Sequence, residues 1–337
     1  MTFGQGAAIF GCSGPILTKN EAAFFRDADP FGFILFARNV ESPDQVRRLT
    51  DDLRASTGHD APILVDQEGG RVQRLRAPHW REWLPPLDQV AQSGAQAARG
   101  MGLRSRIIAH ELRAVGIDAN CAPCCDLASE HTHPFLRNRC YDSDPATVAA
   151  IARAVAEAHL AGGVLPVMKH MPGHGRSTAD THHDLPTVTA TPEDLDATDF
   201  APFRALRDMP LAMTAHVVFA AFDPVRPATQ SPAMIDVIRN RIGFAGLLMT
   251  DDLSMQALSG TLAERAAAAR AAGCDIALHC KGDLAEMQAV AAAAGRLDGE
   301  SLRRAAAALA WRKVPDAVDI AALEDDLAQV LRGGAHV

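Results

Sequence analysis

Gly162-Gly163-Val164-Leu165-Pro166-Val167-Met168-Lys169-His170-Met171-Pro172-Gly173-His174-Gly175 is the stretch from which the architecture can be read. A glycine pair stops the helical pattern Ala146–Ala161, an apolar run Val164–Met168 follows, and charged and ring-bearing side chains come directly after it. Pro172, Gly173 and Gly175 keep that polar segment from continuing as a helix, so it reads as a shaped loop at the end of a buried strand.

The same pattern recurs on both sides. Further strand candidates are Ala7–Phe10, Phe33–Phe36, Ile63–Val65, Ile117–Cys125, Leu211–Thr214, Gly246–Thr250 and Asp275–Cys280, which with Val164–Met168 makes eight. Helices with recognisable ends lie between them. Ser42-Pro43 caps Asp44–Ala55, Ser143-Asp144-Pro145 opens Ala146–Ala161, Ser231-Pro232 opens a helix closed by Gly243, and Gly273 closes Thr261–Ala272. Leu284–Ala294 and Ser301–Trp311 complete the set, and Asp316–Leu331 reads as an acidic terminal helix.

Eight strand-then-helix units predict an α/β fold of the single-domain (β/α)8 TIM-barrel kind, because each parallel step needs a crossover helix. An open doubly wound sheet is the alternative, but its G-x-G-x-x-G phosphate turn after the first strand is missing; Gly11-Cys12-Ser13-Gly14 is only a turn. No linker divides the chain, so residues 1–337 are expected to form one catalytic domain, with 316–337 a C-terminal helical tail.

The chain's 337 residues, 48% hydrophobic and 22% charged, allow a large core. A net charge of −8 with no Lys/Arg run argues against nucleic acid as a partner. Seven cysteines, an odd number with several in apolar runs, read as reduced core thiols and point to the cytoplasm. No segment reads as a signal peptide or a membrane span, so no membrane partner is expected.

In a barrel of this kind the loops after the strands converge on one mouth. Polar residues recur there: Asp66 to Arg74 after the third strand, Asp126, Arg137, Arg139 and Tyr141 after the fourth, Lys169 and His170 after the fifth, His216 after the sixth, Asp251 and Asp252 after the seventh, Lys281 after the eighth. For Asp126, Lys281 and Glu68, placement in a wet loop explains the residue as well as a ligand contact does. Adjacent residues at a strand end point to opposite sides, so only one of Asp251 and Asp252 is expected to face the pocket.

Carboxylates, lysine and arginine suit a neutral polyhydroxylated ligand, and no phosphate-binding glycine turn is present. Asp251 could attack an anomeric carbon, while His182, held in one tautomer by Asp180, could protonate the leaving oxygen. Two rivals are weaker. A metal site is disfavoured because Pro172 and Gly173 break the one-face spacing of His170 and His174, and the Cys121-x-x-Cys124-Cys125 group has no second ligand pair after it. A Ser177-His182-Asp180 hydrolase lacks the G-x-S-x-G elbow.

Lys169-His170-Met171-Pro172-Gly173-His174-Gly175 followed by Asp180-Thr181-His182 resembles the signature of the β-N-acetylhexosaminidases of glycoside hydrolase family 3. Asp66 to Arg74 and Thr250-Asp251-Asp252-Leu253-Ser254-Met255 look like two further blocks in the same order, with weaker matches at Ile34 to Asn39 and Ala272 to Asp275. The similarity runs over roughly residues 5–310. Met171, Cys124-Cys125 and the tail from Asp316 depart from it.

The resemblance implies removal of non-reducing terminal N-acetylglucosamine from peptidoglycan fragments, especially those ending in 1,6-anhydro-N-acetylmuramic acid, during bacterial cell-wall recycling. It implies retention through a covalent intermediate on Asp251, with His182 as general acid/base paired to Asp180. Asp66, Arg74, Arg139, Lys169 and His170 would bind the sugar. No cofactor or metal is expected, the partner is an amino-sugar disaccharide or muropeptide, and the chain is expected to act as a monomer. Two other readings keep the same residues: a phosphorylase, in which phosphate replaces water, and a catalytically silent sugar-binding barrel.

Overall fold

The computed structural model describes residues 3–130, 132–177 and 184–334. Its inner sheet has eight parallel strands, β1 (Gly6–Gly11), β2 (Pro30–Leu35), β3 (Ile63–Val65), β4 (Ala119–Asn120), β5 (Leu165–Met171), β6 (Leu211–Thr214), β7 (Leu247–Met249) and β8 (Ala277–His279). Each pairs with the next in the chain as far as β7, and β8 returns to pair with β1. The ring closes between β7 and β8 through a parallel bridge of Met249 with Ile276 and a 3.0 Å bond from the Thr250 amide to the Ile276 carbonyl. A sheet whose sequential order is also its spatial order, closed on itself, is the predicted barrel.

The strands carry little alternation because both faces are covered. Every residue of β1, β2, β5 and β6 is buried, and side chains such as Phe10, Phe33 and Met168 have at most 1% of their surface exposed. The helices start where the sequence signals. Thr18 forms a capping box with Glu21 before Lys19–Ala28, Ser42 caps Pro43–Thr57, and Thr261 forms a box with Glu264 before Leu262–Ala272.

Six strands differ from the expected bounds, and two of those differences bear on the site. β4 is only Ala119–Asn120, because Pro123 has no amide to donate and the segment through Cys125 runs beside β5 without a regular ladder. β5 is longer than the apolar run: the Lys169 amide bonds to the Pro123 carbonyl at 3.0 Å and the Lys169 carbonyl accepts from Cys125 at 2.6 Å, so Lys169 and His170 belong to the strand itself. Beyond the barrel, Pro232–Asp236 widens into a π-helical turn before Gly243, the eighth unit ends in helix Gly299–Leu309, and the terminal helix spans Ile320–Gly334. Leu327 and Val330 are the two buried side chains by which that last helix packs, its other faces being partly or fully exposed. None of the described helices is long and apolar enough to cross a membrane.

The N-terminal end of the barrel is closed by buried ion pairs. Asp118, just before β4, accepts from the Ile63 amide at 2.8 Å and faces Arg312 at 2.7 Å, Arg54 at 3.3 Å and Arg113 at 3.9 Å. Asp275, before β8, pairs with Arg239 at 2.6 Å and Arg304 at 3.0 Å.

Candidate active site

At the opposite end, Asp66, Arg74, Arg139, Lys169, His170 and Asp251 line one pocket. They come from the ends of β3, β4, β5 and β7 and the loops after them. Ile34, Phe36, Val72, Phe135, Met213, Met255 and Leu278 supply apolar walls between the polar groups. A pocket of this composition offers hydrogen bonds in a few fixed directions and apolar surface elsewhere.

The polar half is organised around Glu68. Its carboxylate takes a bidentate pair from Arg139, Nε to Oε2 at 2.9 Å and Nη2 to Oε1 at 2.8 Å, and Lys169 Nζ lies 2.6 Å from Oε1. Lys169 Nζ also donates to Asp66 Oδ1 at 2.8 Å, and Arg74 Nη2 donates to Asp66 Oδ2 at 3.0 Å. Burial pushes the Glu68 carboxyl up, but Arg139 and Lys169 outweigh it and bring it down to about 2. For Asp66 burial is likewise outweighed by Lys169 and Arg74, holding its carboxyl well below the usual range. Burial works against the charge of Lys169, yet Asp66 and Glu68 hold its ammonium well above the usual lysine range. The cations and carboxylates nearly balance, so the cluster presents directed donors and acceptors without a strong net field, as a neutral ligand requires.

The short hairpin that carries these groups, Gln67–Gly69 with Val72–Gln73, is fixed from behind. Arg104, wholly buried in helix Ala97–Arg113, donates to the Glu68 carbonyl, to the Leu84 carbonyl at 2.9 Å and to Gln89 Oε1 at 2.7 Å. Burial lowers that guanidinium to about 10, so it remains charged at neutral pH. Gly69 has φ 110°, and a Cβ there would stand 1.6 Å from Arg104 Nη2, so only glycine permits both the turn and the clamp.

His170 is set by Asp126. Its Nδ1 lies 2.6 Å from Asp126 Oδ2, and Asp126 Oδ1 accepts from the His174 amide at 2.7 Å. A carboxylate only accepts, so Nδ1 carries the ring proton and Nε2 is left to accept from Arg139 Nη2 at 3.3 Å. Lys169 and His170 are joined by a cis peptide bond, and both line the pocket.

Asp251 and Asp252 also both line the pocket, contrary to the expectation that one would turn away. They differ in how they are held. Asp252 is tied by the Ser254 amide at 3.0 Å, the Ser254 hydroxyl at 2.5 Å and the Cys280 amide at 3.2 Å. Asp251 accepts from the Asp252 amide at 2.8 Å, which leaves a carboxylate oxygen for chemistry. Burial pushes its carboxyl up, but His170, His216, the Asp252 amide and Lys169 together hold it below the usual range, so it is an anion at neutral pH. His216 lies beneath, wholly buried, with Nδ1 2.7 Å from Thr229 Oγ1 and Nε2 3.1 Å from the Asp252 carbonyl.

Two of the residues that wet-loop placement explained equally well are thus buried in the site's framework: Glu68 anchors two cations and Asp126 fixes His170. Lys281 is not; it is exposed and 3.8 Å from Glu286. Arg137 is exposed, and Tyr141 is buried with its hydroxyl group pushed well up by burial. Asp180 and His182 lie outside the described residues. The clamp by Arg104 and the walls Phe36 and Phe135 were not anticipated. Nothing local in sequence ties Arg104 to Glu68, and Arg99, Arg106 and Arg113 on the same helix give it no distinguishing mark.

The glycosyl hydrolase family 3 N terminal domain matches residues 18–310. A beta-hexosaminidase of Bordetella avium is 36% identical over 293 residues, 83% of this chain and 82% of the relative. One from Methylococcus capsulatus is 39% identical over 281 residues, covering 81% and 82%. Among solved structures, NagZ from Neisseria gonorrhoeae in complex with N-trifluoroacetyl-D-glucosamine superposes with a TM-score of 0.84 at 29% identity, over 99% of this chain and 98% of that one.

Proposed function

The chain belongs to glycosyl hydrolase family 3, and from that premise we propose that it is a retaining exo-β-N-acetylglucosaminidase that works on peptidoglycan fragments in the cytoplasm. It is a glycoside hydrolase whose β-hexosaminidase relatives support N-acetylglucosamine as the sugar it removes. The observation that carries the finer reading is the convergence, in one pocket, of an ionised Asp251 with Asp66, Lys169, Arg139 and His170, the lysine and arginine being paired to the buried Glu68.

The proposed chemistry follows from that arrangement. Asp66, Arg74, Arg139, Lys169 and His170 grip the ring hydroxyls of the terminal sugar, while Phe36, Phe135 and Met255 cover its C–H faces. Asp251 attacks the anomeric carbon and forms a covalent glycosyl-enzyme; the bond to the leaving oxygen breaks as His182, paired with Asp180, protonates it. His182 then takes a proton from the water that releases the sugar with its configuration retained. Fixing Arg139 and Lys169 beforehand on Glu68 means that little reorganisation is needed when charge develops on the ring.

The test is hydrolysis of an aryl β-N-acetylglucosaminide beside GlcNAc-1,6-anhydro-MurNAc and chitobiose, with the product anomer followed by NMR. The β-anomer should appear first, and the anhydro-muropeptide fragment should be turned over faster than chitobiose. First appearance of the α-anomer sinks the retaining mechanism, and preference for chitobiose sinks the cell-wall substrate. His182→Ala should cost far more rate on the disaccharide than on an activated aryl glycoside, since only the former needs the acid.

A further inference from the structure

Two stretches of the sequence offer metal ligands, and each falls short alone: the Cys121, Cys124, Cys125 group has no second pair, and His170 and His174 are separated by Pro172 and Gly173. The fold joins one donor from each. The segment after β4 runs parallel to β5, with Cys124 bridged to Lys169. As a result the Cys124 thiol, the Asp126 carboxylate and the His170 imidazole each present a ligand atom within 4.8 Å of the other two, and all three residues are buried. Cys124 Sγ donates to Asp126 Oδ2 at 3.3 Å, the same oxygen that His170 Nδ1 approaches at 2.6 Å.

We propose that Cys124, Asp126 and His170 form a binding site for a thiophilic divalent cation of the zinc and cadmium class, and that filling it inhibits the enzyme. One thiolate, one imidazole and one carboxylate are the ligand types such ions select, whereas magnesium and calcium take oxygen sets. Cys140, buried and packed in the same small cluster as Cys124, lies outside the group of three, and its thiol donates to the Leu136 carbonyl. His170 lines the pocket, which gives the ion its way in. A divalent ion between a thiolate and a carboxylate is neutral overall, so the loaded site suits a buried place where a lone thiolate would not.

The ion forms a bond to Cys124 Sγ as the thiol proton leaves to solvent, and bonds to Asp126 and to His170 Nδ1 replace the hydrogen bond between those two groups. The imidazole keeps its single ring proton, which passes from Nδ1 to Nε2. With metal–ligand bonds of roughly 2.0 Å in a tetrahedron, the nitrogen and oxygen must part to about 3.3 Å, a shift of less than an ångström. The new Nε2–H then faces Arg139 Nη2, which at present donates to that nitrogen. Two donors now oppose each other, and either the imidazole or the guanidinium must leave its place in the pocket wall. Metal binding itself is independent of what the pocket holds; the inhibition rests on the sugar-binding reading.

Cadmium titration of the intact, reduced, metal-free protein tests the site, read by the thiolate-to-cadmium charge-transfer band in the ultraviolet and by proton release in weak buffer. One equivalent should bind, giving the band and releasing one proton, and magnesium should do neither. Cys124→Ser keeps a donor toward Asp126 and removes the soft ligand, so the band should vanish and affinity should fall at least on the order of 10–100-fold. X-ray absorption at the zinc edge of the loaded wild-type protein needs no variant and should show sulfur beside nitrogen and oxygen ligands. An all-nitrogen-and-oxygen shell, or unchanged binding by Cys124→Ser, overturns the site. If the ion binds through sulfur while aryl β-N-acetylglucosaminide hydrolysis continues at full rate, the inhibition is overturned. A metal-free protein with no turnover on any sugar would count against the enzymatic reading alone.

Discussion

Buried carboxylates and cations gather at both ends of this barrel. At the N-terminal end Asp118 faces Arg312, Arg54 and Arg113; at the mouth Asp66 and Glu68 face Lys169, Arg139 and Arg74. The chemistry is similar, and the balance of forces is opposite. For Asp118 burial outweighs its arginines and pushes the carboxyl up, whereas for Glu68 the cations outweigh burial and bring it down to about 2. The first cluster ties the buried Asp118 to Arg54 and Arg312, with Arg113 at its exposed edge, and acts as a plug, while the second opens onto a pocket with apolar walls and an anionic Asp251. A knot of charges identifies a functional end of a barrel only when it is poised in its ionised form and borders a space for a ligand.

Substitutions should separate the two ends. The largest effect is expected for Asp251→Ala, which should lower turnover of an aryl β-N-acetylglucosaminide on the order of 10⁴-fold while leaving the melting transition where it was. Retained turnover would remove the distinction between mouth and plug as drawn here. Next comes Glu68→Gln, which strands Arg139 and Lys169: KM should rise more than about tenfold, and unfolding free energy should fall by about 3–5 kcal/mol. Because the folded value of Glu68 lies below its unfolded 4.5, its contribution is complete above that pH and is lost as pH falls through about 2. Chemical denaturation from pH 5 to pH 2 should therefore show a steeper loss of stability in the wild-type protein than in Glu68→Gln.

Asp118→Asn should be smaller and of another kind, a loss of about 1–3 kcal/mol of stability with kcat/KM unchanged. A fall in kcat/KM there would mean that the two ends are coupled. Lys281→Ala, at the mouth but outside the cluster, should change stability by less than about 0.5 kcal/mol and leave turnover as it is.

Much of this was legible in the sequence because the barrel repeats one local rule, an apolar strand followed by polar residues. Ile63–Val65 and Leu211–Thr214 match the strands residue for residue. What was not legible depends on contacts between distant loops. The sequence around Glu68 looks like a hydrated turn, and only the meeting of β3, β4 and β5 shows that it holds Arg139 and Lys169. Lys169 and His170 read as loop residues because polarity marks loops, yet they pair within β5, where Pro123 and Cys125 supply the backbone partners. Cys124 reads as core filling, since its relation to His170 arises across 45 residues of intervening chain only when two strand ends lie side by side.

The central claim, that the carboxylate at the end of β7 becomes covalently bound to the sugar, can be tested directly by trapping. The protein is incubated with a fluorinated aryl β-N-acetylglucosaminide that slows release of the intermediate, quenched, and measured by intact-mass and peptide mass spectrometry. The expected result is a mass increase of one glycosyl unit, carried by the peptide containing Asp251. A label on a different residue, or aryl release with no label at any time point and an inverted product, would contradict it.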